Sequence, residues 1–118
     1  MSQTFTLLPT TSFDSNETYP IFSEKAKGSG YIGNTFPMHT VQYAIADGFE
    51  GSIKMQGTIV QNPDETDWFD IDDTTLSVTE PNLPAATVIH KFVGLFVWVR
   101  ASVVIENGTV NHIQYIYA

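Results

Sequence analysis

Cysteine is absent from the 118-residue chain. Disulfide staples and thiolate metal sites are therefore ruled out, and the redox compartment is left open. Basic residues are scarce: 5 Lys and Arg stand against 13 Asp and Glu, for a net charge of −8. A nucleic-acid partner is not expected, because neutralising phosphates takes clustered cations. No run of about 18 uninterrupted apolar residues exists to cross a bilayer as a helix, so no membrane partner is expected either. No basic stretch precedes an apolar run, and a secretory signal is not expected within these residues. A convincing amphipathic helix period is missing too. What is present is 42% hydrophobic and 13% aromatic residues, enough to build one packed domain over residues 1–118. Charged residues make up only 15%. The acidity chiefly serves solubility, while a surface rich in Thr, Asn, Gln and Ser suits a protein that works packed in an assembly.

The pattern that organises the chain is alternation. In Ser52-Ile53-Lys54-Met55-Gln56-Gly57-Thr58-Ile59-Val60, Ile53, Met55, Gly57 and Ile59 point one way and Lys54, Gln56 and Thr58 the other, the period of a strand with one buried face. Asn62-Pro63-Asp64-Glu65 reads as a turn, and Asp67-Trp68-Phe69-Asp70-Ile71 as a short aromatic strand. Residues 2–8 form a strand ended by Pro9, and residues 36–46 alternate again before Asp47-Gly48, a tight-turn signal that predicts a hairpin. Residues 76–79 and 87–93 are further strands. In residues 95–105, Leu95, Val97, Val99, Ala101, Val103 and Ile105 share one face, with Phe96, Trp98, Arg100 and Ser102 on the other. Asn107-Gly108 predicts a second hairpin, into a last strand over 110–117. Seven or eight short strands with turns at intervals of about 8–12 residues give an all-β, antiparallel sandwich of about eight strands. Residues 9–30 stand apart as a loop or arm. Phe13, Tyr19, Ile21 and Phe22 are its large apolar side chains, too few to build a core, so they must lie on the sandwich or on a neighbouring subunit.

Candidate chemistry is thin. Gly28, Gly30 and Gly33 lead into a strand rather than a helix, so they are turn glycines and not a dinucleotide fingerprint. Asp64, Glu65, Asp67, Asp70, Asp72 and Asp73 place six carboxylates in ten residues. They lack the spacing of a calcium loop and read as a solvated acidic turn. His39, His90 and His112 fall in three different strands, with nothing to make them converge on a metal. No nucleophile elbow or cleft-forming acid pair is visible. The expectation is no catalytic residue, no metal and no cofactor. Aromatic residues leave two readings open: Trp98 and Phe96 beside Arg100 could stack on a sugar, or could fill a buried face.

Two resemblances add to this. The strand Ser52-Ile53-Lys54-Met55-Gln56-Gly57-Thr58, the acidic turn and Asp67-Trp68-Phe69-Asp70-Ile71 resemble the hairpin of discoidin-like, galactose-binding-type jelly rolls. Val97-Trp98-Val99-Arg100-Ala101-Ser102-Val103 with Gly108-Thr109-Val110 and Ile113-Gln114-Tyr115 resembles their closing strand pair. The likeness covers about half of the chain and implies a jelly roll. Within it Asp67 or Asp70 is the expected acceptor for Arg100, since a buried guanidinium must be paired. More narrowly, Lys27-Gly28-Ser29-Gly30-Tyr31, His39-Thr40-Val41-Gln42-Tyr43, Ile53-Lys54-Met55-Gln56-Gly57-Thr58, Asp67-Trp68-Phe69-Asp70 and Phe96-Val97-Trp98-Val99-Arg100-Ala101 are similar to small virion structural proteins of tailed bacteriophages, of the marine and cyanobacterial type. That resemblance implies a non-enzymatic virion component, assembled in the host cytoplasm. It would decorate or cement a capsid, or act as an accessory protein, in many copies or as a homo-oligomer, contacting major capsid or tail proteins. The alternative is a carbohydrate-binding module of a phage tail or fibre, with Tyr31, Tyr43, Trp68 and Trp98 as sugar-stacking residues.

Overall fold

The computed structural model describes residues 3–28 and 38–117. Their strand segments are β1 (Gln3–Leu8), β2 (Thr11–Ser12), β3 (Ile21–Phe22), β4 (Ala26–Lys27), β5 (Met38–Ile45), β6 (Glu50–Thr58), β7 (Phe69–Asp70), β8 (Leu76–Val78), β9 (Ala86–Val93), β10 (Trp98–Asn107) and β11 (Thr109–Tyr117). Among the described residues the helical content is a single 3-10 turn, Glu65–Asp67. All pairings are antiparallel.

Two sheets face each other. The first has the order β1-β11-β5-β9 with β2 beside β11, and the second the order β3-β10-β6-β7 with β4 beside β10 and β8 beside β6. Three pairs of segments lie end to end along one neighbour: β1 and β2 on β11, β3 and β4 on β10, β7 and β8 on β6. Joined in this way, the eleven segments are the eight strands of a jelly roll. The expected sandwich of about eight strands is what the chain forms.

Each interruption is crossed by a hydroxyl. Thr10 Oγ1 donates to the Asn111 carbonyl at 3.0 Å beside β1 and β2. Between β3 and β4, Ser23 donates its N–H to the Ala101 carbonyl, and its Oγ accepts from the Ala101 N–H at 2.8 Å. Between β7 and β8, the buried Thr74 Oγ1 accepts from the Met55 N–H at 3.1 Å and donates to the Ile71 carbonyl at 2.7 Å. Side chains thus replace ladder bonds where the backbone bulges away, so buried central strands keep their polar groups satisfied.

The inward faces of both sheets make one core. Val41, Tyr43, Ile113 and Tyr115 from the first meet Ile53, Met55, Val99, Ala101 and Val103 from the second. Alternation in the sequence had set Ile53 with Met55, and Val99 with Ala101 and Val103, on shared faces, and these are the inward ones. Four expectations need correction. The strand over 52–60 stops at Thr58, and Ile59 is exposed. Phe96 is not on the face of Trp98 and Arg100: β10 begins at Trp98, and Phe96 drops into the core, against Gly57. A Cβ on Gly57 would lie 2.6 Å from the Phe96 ring, so only glycine admits that packing. Asp47-Gly48 and Asn107-Gly108 do not make hairpins. β5 and β11 belong to one sheet and β6 and β10 to the other, so both turns are corners between sheets. They stack: Ala46 N–H donates to the Thr109 carbonyl at 3.0 Å, and Gly108, at φ +85°, leaves no room for a side chain against Phe49. Finally, residues 9–28 are not an arm, since β2, β3 and β4 take their places in the sheets.

Candidate functional site

The outer face of the second sheet holds the most elaborated cluster of polar and aromatic groups. Parity along β10 turns Val99, Ala101 and Val103 inward and Trp98, Arg100 and Ser102 outward. The connection after β6 folds back over this face. Its 3-10 turn is closed by the Asp64 N–H donating to Asp67 Oδ2 at 2.7 Å and the Asp67 N–H donating to the Asp64 carbonyl at 3.0 Å. That turn sets Glu65 and Trp68 over Arg100, and pairing of Phe22 with Ser102 brings the Phe22 ring to the other side.

Arg100 is therefore clamped. Its Cζ lies 3.8 Å from the Phe22 ring centroid and 4.2 Å from that of Trp68. Nε–H donates to Gln56 Oε1 at 2.9 Å, and Nη1 and Nη2 donate to Glu65 at 3.4 and 3.2 Å. The Arg100 side chain is 8% exposed and that of Glu65 is 75% exposed, so the carboxylate stays hydrated and its pairing is weak. The two ring contacts are the stronger restraint on a desolvated guanidinium. The expected acceptors serve elsewhere. Asp70 takes Lys54 at 2.9 Å and Gln56 at 3.0 Å, and these two hydrogen bonds, Gln56 first, hold its carboxyl below the usual range. Asp67 closes the 3-10 turn. A depression of about 340 Å³ opens beside the clamp, lined by Phe22, Ser23, Glu24, Lys25, Pro63, Glu65, Trp68 and Arg100. Its chemistry is that of a polar rim with two carboxylates and an ammonium around aromatic edges, able to hydrogen-bond a hydroxylated or zwitterionic ligand.

The four expected sugar-stacking residues separate. Tyr43 is wholly buried, its phenol donating to the Thr74 carbonyl at 2.8 Å, and burial raises its pKa strongly; it cannot meet a sugar. Trp68 is half-buried on Arg100. Trp98 is half-buried, its indole N–H donating to the Gln61 carbonyl at 2.8 Å, with the Lys25 ammonium 4.7 Å over its ring. Tyr31 lies outside the described residues. Of the expected contact residues, Tyr19 and Ile21 pack against the core. Phe13 stacks on Tyr19 at 6.2 Å and stays exposed, and the exposed Phe22 lies over Arg100.

The histidines take three different roles. His39 is fully buried, Nε2–H donating to the Gly94 carbonyl at 2.7 Å while Nδ1 accepts from the Tyr115 hydroxyl at 2.7 Å. Its ring is stacked on Phe92 at 4.8 Å, and burial lowers its pKa. His90 lies 5.5 Å from the Tyr43 ring, and His112 accepts from Gln42 at 3.1 Å. Among the described residues, no three His, Asp or Glu side chains come together to hold a metal ion. His39, Ser23 and Thr74 were not visible as key residues in the sequence. A lone histidine at an inward parity position between Met38 and Thr40 was the one signal available.

The outer face of the first sheet is different in kind. Strands β1, β2, β5, β9 and β11 contain no Asp or Glu, and Lys91 is their one charged residue. Cross-strand rows run Thr6–Gln114–Gln42–Ile89 and Thr4–Ile116–Thr40–Lys91. All 13 acids of the chain lie elsewhere.

No family model and no curated protein matches the chain. Among solved structures it is similar to the SPBc2 prophage-derived protein YomS, with 18% identity, a TM-score of 0.57, and coverage of 98% of this chain and 91% of that one. At this identity the likeness speaks to the shared sandwich.

Proposed function

We propose that this chain is a non-enzymatic structural component of a phage particle, assembled in the host cytoplasm and acting in many copies through contacts with major capsid or tail proteins. Capsid decoration or another accessory virion role is the specific form of that reading. The observation that carries it is the distribution of charge. A chain with net charge −8 keeps an entire five-stranded face free of acids, where a solvated sheet surface would ordinarily mix charges. Such a face suits contact with protein, because desolvating Thr and Gln costs less than desolvating carboxylates. The fold shared with a prophage-derived protein supports the phage setting. The test is to mix the purified chain with empty capsids and, separately, with tails of its phage, and to sediment the particles. Saturable co-sedimentation with one of them, in many copies per particle, is expected; failure to bind either removes the proposal.

The depression beside Arg100 favours a second reading, a carbohydrate-binding module of a tail or fibre. Its carboxylates, ammonium and aromatic edges match the chemistry of sugar recognition. Binding of host surface glycans that is abolished by Trp68→Ala would establish it.

A further inference from the structure

The four sheet edges are not alike. The β3/β4 edge and the β7/β8 edge are broken into pieces of two or three residues, and acids sit at both, Glu24 on one and Asp70, Asp72 and Asp73 on the other. The β1/β2 edge is bulged between Thr6 and Leu8, ended by Pro9, and covered in part by the Glu24 N–H, which donates to the Leu7 carbonyl. These are the usual devices that keep a sheet edge from recruiting another strand. The fourth edge has almost none of them. β9 runs unbroken for eight residues, pairs with β5 alone, and has regular register throughout. Its free edge is bonded to no other described segment. Outward from it stand Thr87, Ile89, Lys91 and Val93, with Ile89 56% and Val93 67% exposed.

We propose that β9 pairs antiparallel with β9 of a second copy, about a two-fold axis at Ile89, joining the two first sheets into one continuous sheet. Charge selects the second copy as occupant. Two chains of net charge −8 repel, and of the two edges without an acid, β1/β2 and β9, only β9 is unbroken and regular in register. The strand is also self-complementary, as an isologous contact requires. Centring on Ile89 sets Ile89 against Ile89 and Lys91 against Thr87, so an apolar pair forms and the two cations stay apart. Centring on Lys91 would oppose the cations, and centring on His90 would oppose Ile89 to a cation. Such a dimer would form from the chain alone, whether or not it is a virion protein.

Sedimentation equilibrium of the purified chain should give twice the 13.1 kDa chain mass. Ile89→Lys places two ammonium groups face to face, and should weaken the dimer by at least about tenfold while leaving the far-UV spectrum unchanged. The absence of natural cysteine allows a second readout. Opposed Cα atoms are about 4.5–5.5 Å apart, within disulfide reach, so Ile89→Cys should oxidise to a covalent dimer while Asn82→Cys, on a distant turn, should not. A monomer at every concentration overturns the proposal, as does a dimer that Ile89→Lys leaves intact. Should Ile89→Lys fail to fold, the Ile89→Cys cross-link decides, and its absence overturns the proposal too.

Discussion

Substituting Met for Arg100 takes away two ring contacts, at 3.8 and 4.2 Å, and a 2.9 Å hydrogen bond to Gln56. It does not strand a buried carboxylate, because Glu65 is hydrated. The expected loss is therefore that of the stacked cation, about 1–3 kcal/mol, seen as a lower urea midpoint at unchanged slope. Glu65→Gln, by contrast, should change stability by less than about 1 kcal/mol. Equal losses in the two variants would mean that the ion pair, not the stack, holds the guanidinium. That Arg100 needs partners was legible in the sequence, since a guanidinium stands in so apolar a strand. Which partners was not: Glu65 sits in a 3-10 turn, and Phe22 arrives from a segment 78 residues away in the chain.

Among the elements, the edge strands show what a period-two pattern conceals. Residues 69–78 read as two unrelated short strands, yet Thr74 splices them into one edge by standing in for a backbone group. Thr74→Val should leave the buried Met55 N–H and the Ile71 carbonyl unpaired, at about 1–3 kcal/mol each, whereas Thr74→Ser keeps the hydroxyl and should cost well under half as much. Amide exchange at Met55, faster in the Val variant alone, checks the mechanism; equal protection in both would remove it. The long strands β5, β6, β9, β10 and β11 were legible because each has one face in the core. The corners at Asp47-Gly48 and Asn107-Gly108 were not. Turn chemistry specifies a local reversal but is silent on whether the flanking strands then pair edge to edge or stack face to face. Only the order of strands in the completed sheets decides that.

For the molecule as a whole, the segment that looked like an arm is part of the frame. Deleting residues 10–24 removes β2, β3, the Ser23 bridge, and Tyr19 and Ile21 from against the core. The shortened chain should lose its cooperative thermal transition by circular dichroism; a sharp melt would return the segment to the status of an appendage. Its polar composition hid this, because edge strands two residues long carry no period to read. β10 and β11 lie in the middle of their sheets, between strands that precede them in the sequence. On the ribosome, then, β1 is made roughly ten seconds before β11 at ordinary rates of synthesis. Until β10 and β11 emerge, β1 to β4 have no partner strand, and β5 and β6 are covered on one side only, by β9 and by β7 and β8. The strands of the first sheet, almost bare of charge, are poorly defended against association in that interval. The acidic connections spaced between strands keep such a chain dispersed while it waits, so the same carboxylates that are solvent decoration on the finished molecule protect the unfinished one.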